Sequence, residues 1–377
     1  MRTFDYLHLP QKLFSGTVGD ANVRLYEDKG KFEQLKATRA AELDALREQA
    51  RFDNVEASAH IEGLYPQAGR AQAVLAGSEP TDEVESQLLG YSSALKLVEG
   101  DADALESVVG FGGGSSARGS GDDAGAAATG SPTQLDLSTS SILALYERLY
   151  AHRNLGRKSR YRKKDYIYVQ VDGHPQAMPV SPITAFETPL VLGGACDSLA
   201  KAFDAQACSP LILSAVFTVD FLCIRPFDEG NGRISRLFAD LMLMKAGFDV
   251  ARYASIDRII EGSAMDYYDA LNACVEGWDR GRNDYEPFAR YWLEVVHHAY
   301  EQVFEKLNGG TGGKLKKSER VALALQHADR PLSKRDIRAE LPDVSEATVE
   351  AALGALVRDG AVEKLGAGRA TTYRWLG

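Results

Sequence analysis

Cysteine is scarce in this chain of 377 residues. It contains four cysteines and no Cys-x-x-Cys pair, and their neighbours are apolar or helix-forming residues. A disulfide framework or a thiolate zinc site requires closely spaced cysteines. The spacing therefore favours reduced core or surface thiols in a reducing cytoplasm. We accordingly expect a cytoplasmic protein.

Long hydrophobic runs are also missing. The most apolar stretch, Pro210 to Ile224, is shorter than the ~20 residues that a membrane span needs, and it contains Asp220. We expect a helix buried inside the protein, and no membrane partner. The N-terminal sequence MRTFDYLHLPQKLF has no continuous apolar core after Arg2, so we expect no export signal.

Excess positive charge is absent as well, because the formal net charge is −10. Such a chain has no global attraction to nucleic acid or to an anionic membrane, so any such contact must come from a local patch. A hydrophobic content of 45% with 25% charged residues is ordinary for a soluble globular protein. The length predicts two or three domains.

Composition changes along the chain predict five segments. They are a helical N-terminal region at 1–108, a Gly/Ser/Ala-rich insert at 109–133, a core at 134–307, a Gly-rich linker at 308–314 and a C-terminal domain at 315–377. The insert is too polar and too rich in glycine to bury a core, so we expect it to be disordered. The fold class is expected to be mainly α.

Local patterns place several elements within these segments. Thr81 is a plausible N-cap for a helix that ends near Gly100, and Ser138 or Thr139 can cap the helix that follows the insert. Alternating residues around a Gly-containing turn predict a β-hairpin at roughly 166–180.

The C-terminal domain has its own pattern, three predicted helices followed by two strands, which resembles a small winged helix-turn-helix (α+β) domain. From Lys314 onward there are 12 basic and 9 acidic residues, a net charge of +3. The expected recognition helix, however, carries Glu346, Glu350 and Asp359 against Arg358. DNA binding through 315–377, formation of a homodimer and an intramolecular contact all remain open.

The sequence FLCIRPFDEGNGRISRL, residues 221–237, interrupts two apolar helices with small and charged residues. The second helix is expected to begin at Gly230, Asn231 and Gly232, where backbone N–H groups and the helix dipole favour an anion. Arg233 and Arg236 can bind further phosphate oxygens. Asp228 and Glu229 lie just upstream and could hold Mg²⁺. The alternative is a Gly-rich turn with solvated charges.

The extended string decides between these interpretations. Eight residues, Pro226, Phe227, Glu229, Gly230, Asn231, Gly232, Arg233 and Arg236, fit the signature of the Fic (Fido) family. The chain therefore resembles a Fic-domain protein from about Ser138 to Leu307. The resemblance implies a mainly helical core with a β-hairpin flap. It also implies transfer of AMP from ATP to a Ser, Thr or Tyr hydroxyl of another protein.

The resemblance also implies roles for individual residues. Gly230, Asn231 and Gly232 would form the anion hole, Arg233 and Arg236 would bind phosphates of ATP, and Glu229 would coordinate Mg²⁺. The hairpin at 166–180 would be the flap that aligns an unknown target protein by strand addition. Tyr268 would line the adenine pocket, or it is an ordinary packed helix residue.

A second motif lies upstream in SAHIEG, where Ser58 and Glu62 are four residues apart and Gly63 ends the helix. It is similar to the inhibitory helix of autoinhibited Fic proteins. That resemblance implies that Glu62 pairs with Arg236 and prevents productive placement of the γ-phosphate. The alternative is an ordinary carboxylate at a helix end.

Position 225 departs from the family pattern. Fic enzymes have a histidine there, which removes the proton from the target hydroxyl, whereas this chain has Arg225. An arginine stays protonated and has no acceptor, so it cannot serve as this base. Three hypotheses follow: an autoinhibited adenylyltransferase, a catalytically deficient nucleotide-binding regulator, and a winged-helix DNA-binding regulator.

Overall fold

The computed structural model describes residues 2–36, 38–101, 135–152, 161–165, 183–307, 321–322, 325, 330–341, 344–358, 361–366 and 371–376. The predicted insert at 109–133, flap at 166–180 and linker at 308–314 lie outside these ranges. The chain divides into two compact units, Met1–Val303 and Phe304–Gly377. The mainly helical fold class is confirmed.

The described α-helices that begin in the first unit are α1 (Gly16–Lys36), α2 (Ala40–Ile61), α3 (Arg70–Leu75), α4 (Glu83–Val98), α5 (Thr139–Leu149), α6 (Thr188–Asp204), α7 (Pro210–Ile224), α8 (Asn231–Lys245), α9 (Ile256–Gly262), α10 (Ala264–Ala273) and α11 (Glu286–Leu307). Short 3-10 helices lie at Gln11–Phe14, Asp249–Arg252 and Trp278–Arg280.

Helix α7 is the centre of the first unit, because every residue from Leu211 to Ile224 is buried. Its sequence is apolar all round, which is the pattern of a helix surrounded by others and not of a surface helix. It packs against α6 on one side and α8 on the other. The prediction of a buried helix at this stretch is confirmed.

One charged residue, Asp220, interrupts this apolar helix, and it is fully buried. Its carboxylate accepts hydrogen bonds from Tyr6 Oη at 2.6 Å, Trp278 Nε1 at 2.6 Å and Tyr285 Oη at 2.8 Å. Arg2 Nη2 lies 3.4 Å away and supplies a positive charge. A buried carboxylate persists when it is paired and hydrogen-bonded, and these partners join the N-terminal segment to α7.

Helix α4 approaches α5 unusually closely at Gly90. A Cβ atom at this position would lie 2.0 Å from the backbone oxygen of Leu149, at the end of α5. Glycine is therefore required by close backbone approach and not by an unusual φ angle. This approach brings α4 over the start of α8, with which it also packs.

Helix α2 packs along α9, and a buried polar contact fixes their register. Asn54 Oδ1 accepts from Ser255 Oγ at 2.7 Å and from the backbone N–H of Asp257 at 3.3 Å. Arg258 adds an ion pair to Glu56 at 2.5 Å. The C-terminal end of α2 is thereby held beside the first turn of α8.

The helix caps test two local predictions. Ser138 is the N-cap of α5, and its side chain accepts from the backbone N–H of Ser141. The prediction of Thr81 as the N-cap of α4 is wrong, because Asp82 takes that position and accepts from the N–H of Glu85. Thr81 Oγ1 instead donates to Glu85 Oε2 at 3.0 Å.

The second unit contains α12 (Lys334–Glu340), α13 (Glu346–Arg358) and the strands β1 (Leu332–Ser333), β2 (Val362–Leu365) and β3 (Thr372–Trp375). The sheet is antiparallel in the order β1-β3-β2, with Lys364 opposite Tyr373. Apolar residues of both helices and all three strands, among them Ile337, Leu353 and Val362, form its core. Within the described ranges no helix is both long and apolar enough to cross a membrane.

The close approach at Gly90 yields a stability prediction. Gly90→Ala should destabilise the protein by about 1 to 3 kcal/mol, since the helices must separate to admit a methyl group. Thermal unfolding should show a lower Tm. The matched control is Gly194→Ala in α6, where a Cβ would meet nothing within 4 Å. It should stabilise by up to about 1 kcal/mol. Equal Tm values for the two variants would contradict the packing of α4 on α5.

Candidate functional site

The candidate site begins at the loop between α7 and α8. Arg225 ends α7 in the left-handed region, at φ 44° and ψ 68°, and its N–H donates to the Phe221 oxygen at 2.9 Å. A non-glycine residue held there costs roughly 1 to 3 kcal/mol. The loop therefore depends on strong contacts elsewhere to keep this conformation.

Asn231 supplies two of those contacts. Its Oδ1 accepts from the Phe227 N–H at 3.0 Å, and its Nδ2 donates to the Phe227 oxygen at 2.8 Å. The Phe227 ring is buried and stacks on Tyr146, with 4.1 Å between ring centroids. Asn231 thus braces the loop, and Phe227 anchors it in the core.

The two glycines of the signature are both sites of close approach. Gly230 has φ 78°, and a Cβ there would lie 2.6 Å from Tyr150 Oη. Gly232 lies in the first turn of α8, and a Cβ there would lie 2.7 Å from Glu62 Oε1. A carboxylate oxygen therefore sits directly against the N-terminus of α8, where exposed N–H groups and the helix dipole attract anions.

Arg233 is almost fully buried, at 4% exposure, and points toward α4 and α5. Its Nη1 donates to Gln87 Oε1 at 2.7 Å, and its Nη2 donates to Tyr150 Oη at 3.1 Å. Neither of these partners is an anion. Burial raises the pKa of Tyr150, although Arg233 opposes the shift, so the hydroxyl remains protonated.

Arg236 is buried to 2% exposure and has partners on two other helices. Nη2 donates to Ser58 Oγ at 3.0 Å and to Glu62 Oε1 at 3.4 Å, both near the end of α2. Nε lies 2.9 Å from Asp257 Oδ1 on α9, an ion pair whose angle is not that of a hydrogen bond. These contacts bring the predicted inhibitory residues Ser58 and Glu62 to the signature arginine.

Asp240 lies one turn beyond Arg236 on α8 and is buried as well. Burial raises its pKa well above the usual value, and the charge of Asp257 adds to that effect. The charge of Arg236 acts in the opposite direction.

Arg225 directs its charge into the same site. Burial lowers the pKa of its guanidinium, while the charge of Glu62 acts in the opposite direction. Its buried Nε has no hydrogen-bond partner among the residues that the structure describes. The ordinary pKa of an arginine is so high that the guanidinium group stays protonated at neutral pH even when burial lowers its pKa. Position 225 consequently offers a cation that interacts electrostatically with Glu62, and no proton acceptor.

The remaining predicted residues lie around this centre. Tyr268 is partly buried, and burial raises its pKa, with Glu62 as the next cause. Glu229 is half-buried and Asp228 is exposed. Within the described ranges, no cluster of three or more His, Cys, Asp or Glu residues could hold a metal ion.

Arg162 is a part of the site that sequence reasoning missed, since it lies outside every motif. Its backbone N–H donates to Pro226 O at 2.9 Å, and its Nε donates to Arg225 O at 3.0 Å. Its two terminal nitrogens donate to Lys164 O at 2.7 Å and to Ile183 O. One buried side chain thus ties the 225–229 loop to both ends of the segment that contains the predicted flap.

Comparison with known families identifies the core of this site. Residues 136–243 match the model of the Fic/DOC family. This stretch is a Fic domain. Position 225 and the whole 229–236 cradle lie inside it. Ser58, Glu62, Gln87, Asp257 and Tyr268 lie outside it and are brought to the Fic domain by the fold.

Similar proteins agree with this assignment. The chain is 28% identical over 156 residues to "Protein adenylyltransferase Fic" of Nematostella vectensis, and the match covers 41% of this chain. It spans only 31% of that relative's length.

Among solved structures, a Fic family protein from Desulfovibrio desulfuricans covers 95% of this chain and is itself covered to 96%, at a TM-score of 0.55 and 19% identity. A Fic-1 fragment from C. elegans covers 81% of this chain and is itself covered to 76%, at a TM-score of 0.53 and 17% identity. At such identities the structures show a shared fold.

The contacts of Arg162 predict a large effect of its removal. Arg162→Ala leaves buried carbonyl groups without a donor, so we expect a loss of about 2 to 4 kcal/mol in the free energy of unfolding. The adjacent Lys163 is exposed, and Lys163→Ala is the matched control with no expected change. Chemical denaturation of both variants measures the difference. Equal stabilities would show that Arg162 does not hold the 225–229 loop of the Fic domain.

Proposed function

We propose that this protein binds ATP through the 229–236 cradle and that Glu62 restrains this binding from within the site. The observation that carries the proposal is the position of the Glu62 carboxylate. It lies 3.4 Å from Arg236 Nη2 and against the first turn of α8 at Gly232. An acidic group already occupies the place that the helix N-terminus and the arginine prepare for an anion.

The balance of charge supports a polyanionic ligand. Arg225, Arg233 and Arg236 all line or border the cradle, whereas Arg233 has only the neutral Gln87 and Tyr150 as hydrogen-bond acceptors in the contacts described above. A triphosphate would bring several oxygens that can accept charge-assisted hydrogen bonds from these guanidinium groups. Tyr268, beside Glu62, would lie along the adenine.

The carboxylates suit a Mg²⁺ ion that arrives with the nucleotide. Mg²⁺ is commonly held by one or two carboxylates plus phosphate oxygens and water, so a preformed protein cage is not needed. Glu229 is half-buried next to Gly230 and would supply the protein ligand, with Asp228 exposed beside it. The ion would neutralise phosphate charge near the helix N-terminus.

Glu62 is suited to a reversible restraint. Its side chain is 28% exposed, whereas Arg236 is 2% exposed. A bound phosphate oxygen can therefore replace the carboxylate at Arg236 without burying an uncompensated positive charge, provided that Glu62 moves into solvent. The restraint then has the form of competition between an internal carboxylate and the ligand.

Because Arg225 stands where a base would be needed, nucleotide binding is better supported than AMP transfer as the function of this protein. In a transfer, the target hydroxyl oxygen would bond to the α-phosphorus, the bond to pyrophosphate would break and the hydroxyl proton would need an acceptor. Arg225 has no acceptor atom. Loss of a general base typically lowers a rate by ~10² to 10⁴-fold. The chain is thus proposed to be a nucleotide-binding regulator with little transfer activity.

Protein adenylyltransfer remains the second candidate, because the rest of the signature is complete and the Nematostella relative is named an adenylyltransferase. In that case the segment 166–180 would align the hydroxyl of an unknown target protein. The proposed ATP site is shared by both candidates.

The binding proposal is tested by titration with ATP and Mg²⁺ in a calorimeter. We expect Glu62→Gly to bind ATP about 10-fold more tightly than the unmodified chain, since the competing carboxylate is gone and one such contact amounts to ~1 to 2 kcal/mol. Glu62→Gly combined with Arg233→Ala should lose most of that affinity. Glu48→Gly, at a position of α2 where the side chain is 73% exposed, is the control for helix damage. Absence of ATP binding in Glu62→Gly would refute the proposal.

The choice between the two candidates is tested with labelled ATP. We expect no label on protein in the Glu62→Gly variant, and label in the Glu62→Gly, Arg225→His double variant, because the histidine restores a proton acceptor. Arg225→Lys in place of Arg225→His keeps a cation without a base at working pH and serves as the control. Equal labelling of the first two proteins would show that the transfer proceeds without a base at position 225.

A further inference from the structure

Helix α4 precedes the Fic domain in the chain, yet it turns two buried side chains toward the signature arginines. Gln87 and Tyr91 are four residues apart, which places them on one face of the helix, and they are exposed to 8% and 2%. Neither belongs to a motif recognisable in the sequence. Each contacts a different part of the cradle.

Gln87 contacts Arg233 directly. Its Oε1 accepts from Arg233 Nη1 at 2.7 Å. The orientation of the amide is fixed, because a guanidinium group offers only donors. The amide nitrogen donates to Glu83 Oε1 at 3.3 Å on the preceding turn of α4. Both ends of the Gln87 side chain are therefore engaged, and the oxygen is held toward Arg233.

Tyr91 acts on Arg236 through Asp257. Its hydroxyl donates to Asp257 Oδ2 at 2.5 Å, and Asp257 Oδ1 lies 2.9 Å from Arg236 Nε. Burial and the nearby Asp257 charge raise the pKa of Tyr91, so the hydroxyl keeps its proton and remains a donor. The carboxylate is thus held from one side by Tyr91 while its other oxygen faces the arginine.

The backbone of α4 is placed for these contacts by Gly90, which lies between the two residues. The approach to Leu149 at the end of α5 brings α4 close to Tyr150, the other acceptor for Arg233. Gln87 on α4 and Tyr150 at the end of α5 thus both accept hydrogen bonds from the same guanidinium group. An arginine side chain has about 2 kcal/mol of rotamer entropy to lose, so a pre-set orientation favours ligand binding.

We propose that Gln87 and Tyr91 are positioning residues for phosphate binding, with Gln87 orienting Arg233 and Tyr91 orienting Arg236 through Asp257. This inference rests on the proposed ATP site. It assigns α4 a role in ligand affinity that is separate from its role in packing. The two effects are independent, because each residue acts on its own arginine.

The first test is a set of double-mutant cycles in the Glu62→Gly background, with ATP affinity as the readout. Gln87→Met keeps the side-chain length without the amide, and Tyr91→Phe removes one oxygen atom. Each should weaken ATP binding by about 3- to 10-fold, the effect of one buried polar contact. The loss from Gln87→Met should vanish when Arg233 is already Ala and persist with Arg236→Ala. Tyr91→Phe should show the opposite pattern.

The matched controls are Gln72→Met and Tyr26→Phe, at two exposed positions away from the cradle. They should leave ATP affinity unchanged. A purely structural role of Gln87 and Tyr91 predicts equal losses in both arginine backgrounds, because damage to packing does not distinguish Arg233 from Arg236. Equal losses, or no loss at all, would overturn the inference.

A second measurement needs no nucleotide and separates failure of this inference from failure of the proposed ATP site. The Nε–Hε resonances of Arg233 and Arg236 report the environment of each guanidinium group. Gln87→Met should shift and broaden the Arg233 resonance alone, and Tyr91→Phe the Arg236 resonance alone. Unchanged resonances would overturn the inference even if ATP binds. Selective shifts in a protein that does not bind ATP would instead refute the ATP site and leave the orientation of the arginines established.

Discussion

The buried charge of Arg236 is the constraint on which the site depends. A guanidinium group at 2% exposure must be compensated, since an unpaired buried charge destabilises a protein by several kcal/mol. Compensation comes from Ser58 and Glu62 at the end of α2 and from Asp257 on α9. Elements that are distant in the sequence therefore meet at one side chain, and the geometry of the cradle follows from this requirement.

The three partners of Arg236 differ in how easily a ligand could replace them. Ser58 and Asp257 are buried, at 0% and 1% exposure, and belong to the packed contact between α2 and α9. Glu62 is more exposed and follows the last turn of α2, where Gly63 has a positive φ of 74°. We propose that a ligand replaces Glu62 while the remaining partners keep Arg236 in place. The charge that stabilises the fold would then become available to an anion.

The sequence was most informative where function is encoded by neighbouring residues. The string from Gly230 to Arg236 is a local motif, because a helix N-terminus and its first turns present all of its groups. The contact between Glu62 and Arg236 was implied by the resemblance of SAHIEG to the inhibitory helix of autoinhibited Fic proteins. Arg162, Gln87 and Tyr91 could not be found this way, since the contacts that join them to the site span 63 or more residues and nothing in their immediate neighbourhood marks them.

Competition between neighbouring polar residues also explains why the N-cap of α4 is Asp82 and not Thr81, as predicted. Thr81 and Asp82 are both acceptable N-caps by composition, and the choice depends on Glu85, which accepts from the Thr81 hydroxyl at 3.0 Å. Arg70 pairs with the same carboxylate and, with the Thr81 contacts, lowers the pKa of Glu85 to about 2. Such a network includes a residue from another helix, so the cap cannot be assigned from the two candidate residues alone.

We propose that Glu62 holds the place of a phosphate group at Arg236 and Gly232. The most direct test is an experimental structure of the Glu62→Gly variant with ATP and Mg²⁺. We predict phosphate oxygens within hydrogen-bond distance of the Gly232 N–H and of Arg236 Nη2, with Asp257 still beside Nε. Phosphates bound away from the first turn of α8, or an Arg236 side chain turned out of the site, would contradict the claim.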